Sequence, residues 1–98
     1  MKIEKTQEGT KLTIALEGRL DTMTAPELDQ ELKVSLEGIT NLDIDMTKLE
    51  YVSSAGLRVL LSAQKVMNKQ GEMIVKNASE QIMEVFEVTG FTDILTIQ

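Results

Sequence analysis

The chain has 98 residues, 42% of them hydrophobic, with no cysteine, no histidine and a net charge of −6. That is enough for one domain, residues 1–98, whose core needs no disulfide or thiolate-bound metal, and it excludes a Ser-His-Asp site. The acidic balance argues against nucleic acid and anionic membranes as partners, and no run approaches the roughly 18 apolar residues of a spanning helix.

Residues 1–9 carry charges of both signs and no apolar stretch, unlike a signal peptide, so the cytoplasm is the expected location. A monomer is the expected state of the free chain. Residues 2–7 and 11–17 read as strands joined by a hairpin turn at Glu8-Gly9-Thr10. In the second strand Leu12, Ile14 and Leu16 alternate with Thr13, Ala15 and Glu17, the period of a sheet covered on one face. Thr24-Ala25-Pro26-Glu27 reads as a helix start, with Thr24 and Glu27 forming a capping box and proline in the first turn. Leu28, Leu32 and Leu36 then lie one turn apart, and Gly38 is the expected stop.

A third strand, Leu42 to Met46, shows an acidic outer face at Asp43 and Asp45. The run Tyr51-Val52-Ser53-Ser54-Ala55-Gly56-Leu57 leads into a second helix, Leu57 to Lys69, which ends at Gln70-Gly71. Met73 to Val75 reads as a fourth strand. Asn77 to Glu80 resembles a capping box for a third helix that carries Ile82, Val85 and Phe86 and closes at Gly90. Ile94 to Ile97 is the expected last strand. The order ββαβαβαβ implies an α/β fold: a mixed, mostly parallel sheet, strands two to five parallel, with the helices stacked on one face.

Candidate chemistry is sparse. Asp43-x-Asp45 lacks the third ligand, the sixth-position glycine and the closing glutamate of a calcium loop, and reads as two solvated carboxylates. Ser62-Ala63-Gln64-Lys65 matches S-x-x-K but lacks the companion motifs of acyl enzymes, and Ser62 lies inside a helix. No phosphate-binding glycine loop is present, so neither nucleotide nor other cofactor is expected. Most of the six methionines read as core filler, with Met23 and Met46 near element ends where they can be exposed. That leaves Ser53-Ser54-Ala55-Gly56. Two hydroxyls and a glycine at a strand-to-helix junction fit a plain N-cap. They also fit a regulatory serine at a helix N-terminus, where unpaired N–H groups and the positive dipole end tolerate a phosphate.

Asp45-Met46-Thr47-Lys48-Leu49-Glu50-Tyr51-Val52-Ser53-Ser54-Ala55-Gly56-Leu57-Arg58-Val59-Leu60-Leu61 resembles the signature of STAS domains, and more narrowly of bacterial anti-sigma factor antagonists. Leu16-Glu17-Gly18-Arg19-Leu20-Asp21 with Thr24-Ala25-Pro26-Glu27-Leu28 matches the family's second block, and Gln70-Gly71-Glu72 and Phe86-Glu87-Val88-Thr89-Gly90-Phe91 match later parts. The resemblance implies a protein-binding switch without catalytic activity. The unphosphorylated form binds an anti-sigma factor that is a Ser/Thr kinase, releasing its sigma factor. Phosphorylation of the serine two before the glycine, here Ser54, breaks that complex, and a PP2C-type phosphatase restores it. Asp21, with Ser53, Gly56 and Leu57, is implied as the partner-binding surface. Ser53 stands where many members have aspartate, and Ala55 where some have a second serine. A STAS scaffold subunit of a transport or other regulatory complex, working without phosphorylation, is the alternative.

Overall fold

The computed structural model describes every residue from Met1 to Gln98. Strand β1 (Lys2–Glu8) and strand β2 (Lys11–Leu20) form the hairpin, closed at Gly9, whose φ of +60° suits glycine. Helix α1 (Ala25–Ser35), strand β3 (Asn41–Val52), helix α2 (Ser54–Gln70), strand β4 (Glu72–Lys76) and helix α3 (Glu80–Thr89) follow, with a short 3₁₀ turn at Phe91–Asp93. The sheet order is β1-β2-β3-β4, antiparallel between β1 and β2 and parallel thereafter. No helix is long and apolar enough to cross a membrane.

Alternation in the strands decides which face is covered. Leu12, Ile14 and Leu16 of β2 and Leu42, Ile44 and Met46 of β3 join one core cluster with Leu28 and Leu32 of α1, Leu60 and Met67 of α2, and Ile82 and Phe86 of α3. All three helices therefore pack on the same face. The opposite face carries the register neighbours Thr13–Asp43 and Ala15–Asp45–Lys76.

The structure corrects several expectations. The fifth strand shrinks to a single parallel bridge from Ile97 to Val75, because Ile94 and Leu95 donate their N–H groups to the Phe91 carbonyl and close the 3₁₀ turn instead of joining the ladder. Helix α1 ends at Ser35, and Gly38, with φ of +78°, lies in the loop beyond it. Thr24 precedes α1 but makes no side-chain cap, since its hydroxyl is committed to the turn before it. Asn77 is likewise not the cap of α3: it adopts φ of +61°, and Ser79 accepts the Ile82 N–H at 3.2 Å. Met46 is buried rather than exposed.

Asp43 is the largest departure. It retains only 7% of its exposure, and its carboxylate lies 3.0 Å from Lys76 Nζ and 3.5 Å from Lys11 Nζ. The flanking strands place a lysine on either side of it, so the charge is paired rather than solvated. Asp45 accepts from the Thr47 hydroxyl and N–H and from the Asn77 amide. Those bonds, the Thr47 hydroxyl first, hold its carboxyl below the ordinary value.

Strand β3 runs six residues past Met46. Its register with β2 slips twice, between Ala15/Glu17 and Gly18/Arg19, so that Ala15 pairs Asp45, Glu17 pairs Lys48 and Arg19 pairs Tyr51. Each slip adds one residue to β3, and its core-facing residues become Met46, Leu49 and Val52, three apart. These bulges deliver the end of β3 to the end of β2. Gly71, between α2 and β4, passes so close to Thr40 that any Cβ there would collide with the Thr40 carbonyl, which itself accepts the Glu72 N–H at 2.9 Å.

Candidate functional site

The two serines at the start of α2 have different environments. Ser53 is extended, with φ of −95° and ψ of 175°, and its backbone N–H, carbonyl and hydroxyl oxygen are all engaged. Its N–H donates to the Leu20 carbonyl at 2.8 Å, its carbonyl accepts the Leu57 N–H at 2.9 Å, and its Oγ accepts the Gly56 N–H at 3.3 Å. Ser53 is thus the N-cap and the stitch between β2 and α2. Ser54 is the first residue of the helix, exposed, and its hydroxyl has no hydrogen-bond partner in the protein. The local sequence allowed either serine to cap; the structure gives that task to Ser53 and leaves Ser54 free.

Gly56 and Leu57 support the site from beneath. A Cβ on Gly56 would sit 2.7 Å from Leu20 Cγ and 3.0 Å from the Leu20 carbonyl oxygen, so glycine permits the close approach of α2 to β2. Leu57 is 6% exposed and belongs to the core. Gly56 has no side chain and that of Leu57 is turned into the core, and both fix where Ser53 and Ser54 sit.

Asp21 organises the turn between β2 and α1. Its Oδ1 accepts the N–H groups of Met23 at 3.0 Å and Thr24 at 3.1 Å. Its own N–H donates to Thr24 Oγ1 at 2.9 Å, while the Thr24 hydroxyl donates to the Arg19 carbonyl at 2.7 Å. The Thr24 N–H is the main cause holding the Asp21 carboxyl below its usual range; the Met23 N–H, the Thr24 hydroxyl and the Arg19 charge add to it, against partial desolvation. Arg19 lies 3.7 Å from Asp21 Oδ2 and stacks its guanidinium 4.3 Å from the centre of the Tyr51 ring.

The turn so fixed holds Met23 out in solvent at 83% exposure, while Tyr51, beside Arg19, is 40% exposed. The Ser53–Leu20 hydrogen bond ties this cluster to the start of α2. Arg19, Met23 and Tyr51 therefore join Asp21, Ser53 and Ser54 on one end of the sheet. Of these three, sequence reasoning flagged only the exposure of Met23. The i,i+2 spacing of Arg19 and Asp21 was a legible signal, but the partner strand of Tyr51 depends on the two bulges.

No group of three or more acidic side chains is placed to hold a metal ion. The largest groove, about 530 Å³ between α1 and α2, is lined by residues such as Leu32, Val59, Ala63 and Val66 and includes none of the site residues. What the site offers is a small, rigid, partly apolar surface around one unpartnered hydroxyl.

Comparison with known proteins gives concordant results. Residues 3–96 match the family model described as Mlab, STAS domain. The anti-sigma-B factor antagonist of Listeria monocytogenes is 34% identical over 96% of this chain and 84% of its own length. The crystal structure of an anti-sigma factor antagonist from Mycobacterium paratuberculosis superposes with a TM-score of 0.87 at 21% identity, covering 98% of this chain and 83% of that one. The Bacillus cell fate determinant SpoIIAA in its phosphorylated form superposes with a TM-score of 0.77 at 17% identity, covering 99% and 91%. At those identities the two structures establish the fold.

Proposed function

Because this chain belongs to the STAS domain family and to its anti-sigma factor antagonists, we propose that it is a phosphorylation-controlled antagonist whose modified residue is Ser54. The observation that carries the reading is the division of labour between the serines: Ser53 is used up by the fold, and Ser54 is exposed and unbonded at the first position of α2. The unmodified surface binds an anti-sigma factor Ser/Thr kinase and so frees its sigma factor. Asp21, Ser53 and Ser54 form the polar part of the contact, and Met23 and Tyr51 supply the apolar anchors that protein interfaces favour. Gly56 and Leu57 hold this surface in shape.

The kinase transfers the γ-phosphoryl group of ATP to Ser54 Oγ, the hydroxyl proton passing to the kinase and ADP leaving. This protein is the substrate, so nucleotide and metal belong to the partner. The exchange belongs in the cytoplasm, where a PP2C-type phosphatase returns the hydroxyl. The phosphate adds about −1.5 to −2 charge. At the first turn of a helix the dipole offsets it by about 0.3–1 kcal/mol, so the fold survives. At the interface the same charge must be desolvated beside Asp21, and a loss of roughly 3 kcal/mol weakens a complex more than a hundredfold.

The test is incubation with the kinase and ATP followed by mass spectrometry. The expected result is one phosphate on Ser54, abolished in Ser54→Ala. A phosphate found solely elsewhere contradicts the assignment.

A further inference from the structure

Arg19 and Arg58 are the arginines of the chain, and they differ in their commitments. Arg19 is engaged by Asp21 and by the Tyr51 ring. Arg58 is exposed, and its guanidinium makes no ion pair or hydrogen bond to the protein. It lies four residues after Ser54 on the same helix, which places the two on one face with Cβ atoms about 5–6 Å apart. Leu57, Val59 and Leu60 take the buried side, so the Ser54–Arg58 face looks to solvent. Side chains on a helix lean toward its N-terminus, which tilts the Arg58 stem toward Ser54. The first turn of α2 contains no carboxylate to compete for it.

From this geometry we propose that Arg58 is the internal ligand of a phosphate on Ser54, an inference that rests on Ser54 being the modified residue. An anion followed by a cation four residues later is the favourable order on a helix. A guanidinium binds two phosphate oxygens through its planar fork, which a lysine cannot reproduce. The phosphorylated state then needs no backbone movement. It consists of one side-chain rotation that closes Arg58 onto the phosphate and withdraws the uncommitted guanidinium from the surface that the partner meets.

The test uses full-length protein carrying phosphoserine at position 54, installed by semisynthesis without any kinase, and a ³¹P NMR pH titration of that phosphate. The other charged residues on the adjoining ends of the neighbouring elements are Arg19 and Asp21 at the end of β2, Glu27 at the start of α1, and Lys48 and Glu50 on β3; each is held constant except in the Arg19 control. With Arg58 present, the second ionisation is expected below the value of about 6 typical of phosphoserine. Arg58→Gln should raise it by about half a unit or more, Arg58→Lys by less, and Arg19→Gln by no more than about 0.1 unit. An Arg58→Gln titration that overlays the parent overturns the proposal, as does a larger rise in Arg19→Gln. Since the phosphate is installed chemically, such a failure leaves the kinase assignment standing. Conversely, a kinase that ignores Ser54 contradicts the proposed function without altering this titration.

Discussion

Replacing Ser53 and Ser54 with alanine, one at a time, separates the structural serine from the one proposed to be modified. Ser53→Ala removes the acceptor for the Gly56 N–H at 3.3 Å and leaves a part-buried donor at the first turn of α2. Loss of an N-cap costs about 1 kcal/mol, within a range of roughly 0.5–2. The length of this bond favours the lower half of that range. Ser54→Ala removes an exposed hydroxyl with no partner, and surface changes of that kind stay within about 0.5 kcal/mol. For a chain of 98 residues the unfolding entropy is about 0.2 kcal/mol per degree, so 1 kcal/mol corresponds to about 5 °C in Tm. Melting followed by circular dichroism should show Ser53→Ala lower by about 3–6 °C and Ser54→Ala within about 2 °C of the parent. If Ser54→Ala falls as far as Ser53→Ala, Ser54 is part of the fold and the division of labour is refuted.

Gly71→Ala should be the most damaging of the glycine changes, because the added Cβ collides with backbone at Thr40 rather than with a movable side chain. A loss of about 2–4 kcal/mol is expected, read as a lower denaturation midpoint at unchanged slope. Acid stability follows from Asp21 and Asp45, both held below the ordinary carboxylate value of 3.8. Their contribution is complete above that value and is lost as pH falls through the depressed ones, so denaturation midpoints should be flat near neutrality and decline below about pH 4. Asp45→Asn should soften the decline; a midpoint that instead drops between pH 7 and 5 contradicts the assignment.

The sequence shows the fold where one local rule operates without competition. The alternation in β2, the leucines of α1 and the glycine that closes α3 at φ of +80° all read directly. Reading fails where two residues compete for one task. Thr24 has a cap sequence, yet Asp21 and the Arg19 carbonyl claim its hydroxyl; Asn77 has one too, yet Ser79 does the capping. Asp43 looks like an outward carboxylate because the lysines that pair it come from two other strands. The end of β3 was illegible for a related reason: two bulges change its core period from two to three, hiding Leu49 and Val52 from an alternation test. The same bulges bring Tyr51 to Arg19, so the Tyr51 part of the apolar surface could not be read beforehand. Family resemblance selects Ser54 over Ser53; the hydrogen bonds make Ser53 the N-cap and leave Ser54 exposed without a partner.

The central claim is that a charge on Ser54 breaks a protein contact without disturbing the fold. The most direct test is calorimetric binding of the unmodified and Ser54-phosphorylated proteins to the anti-sigma factor kinase, paired with melts of both. The account predicts binding at least about a hundredfold weaker for the phosphorylated form, a loss of roughly 3 kcal/mol, with Tm values within a few degrees of each other. Equal affinities, or a loss of affinity accompanied by collapse of the phosphorylated fold, contradict it.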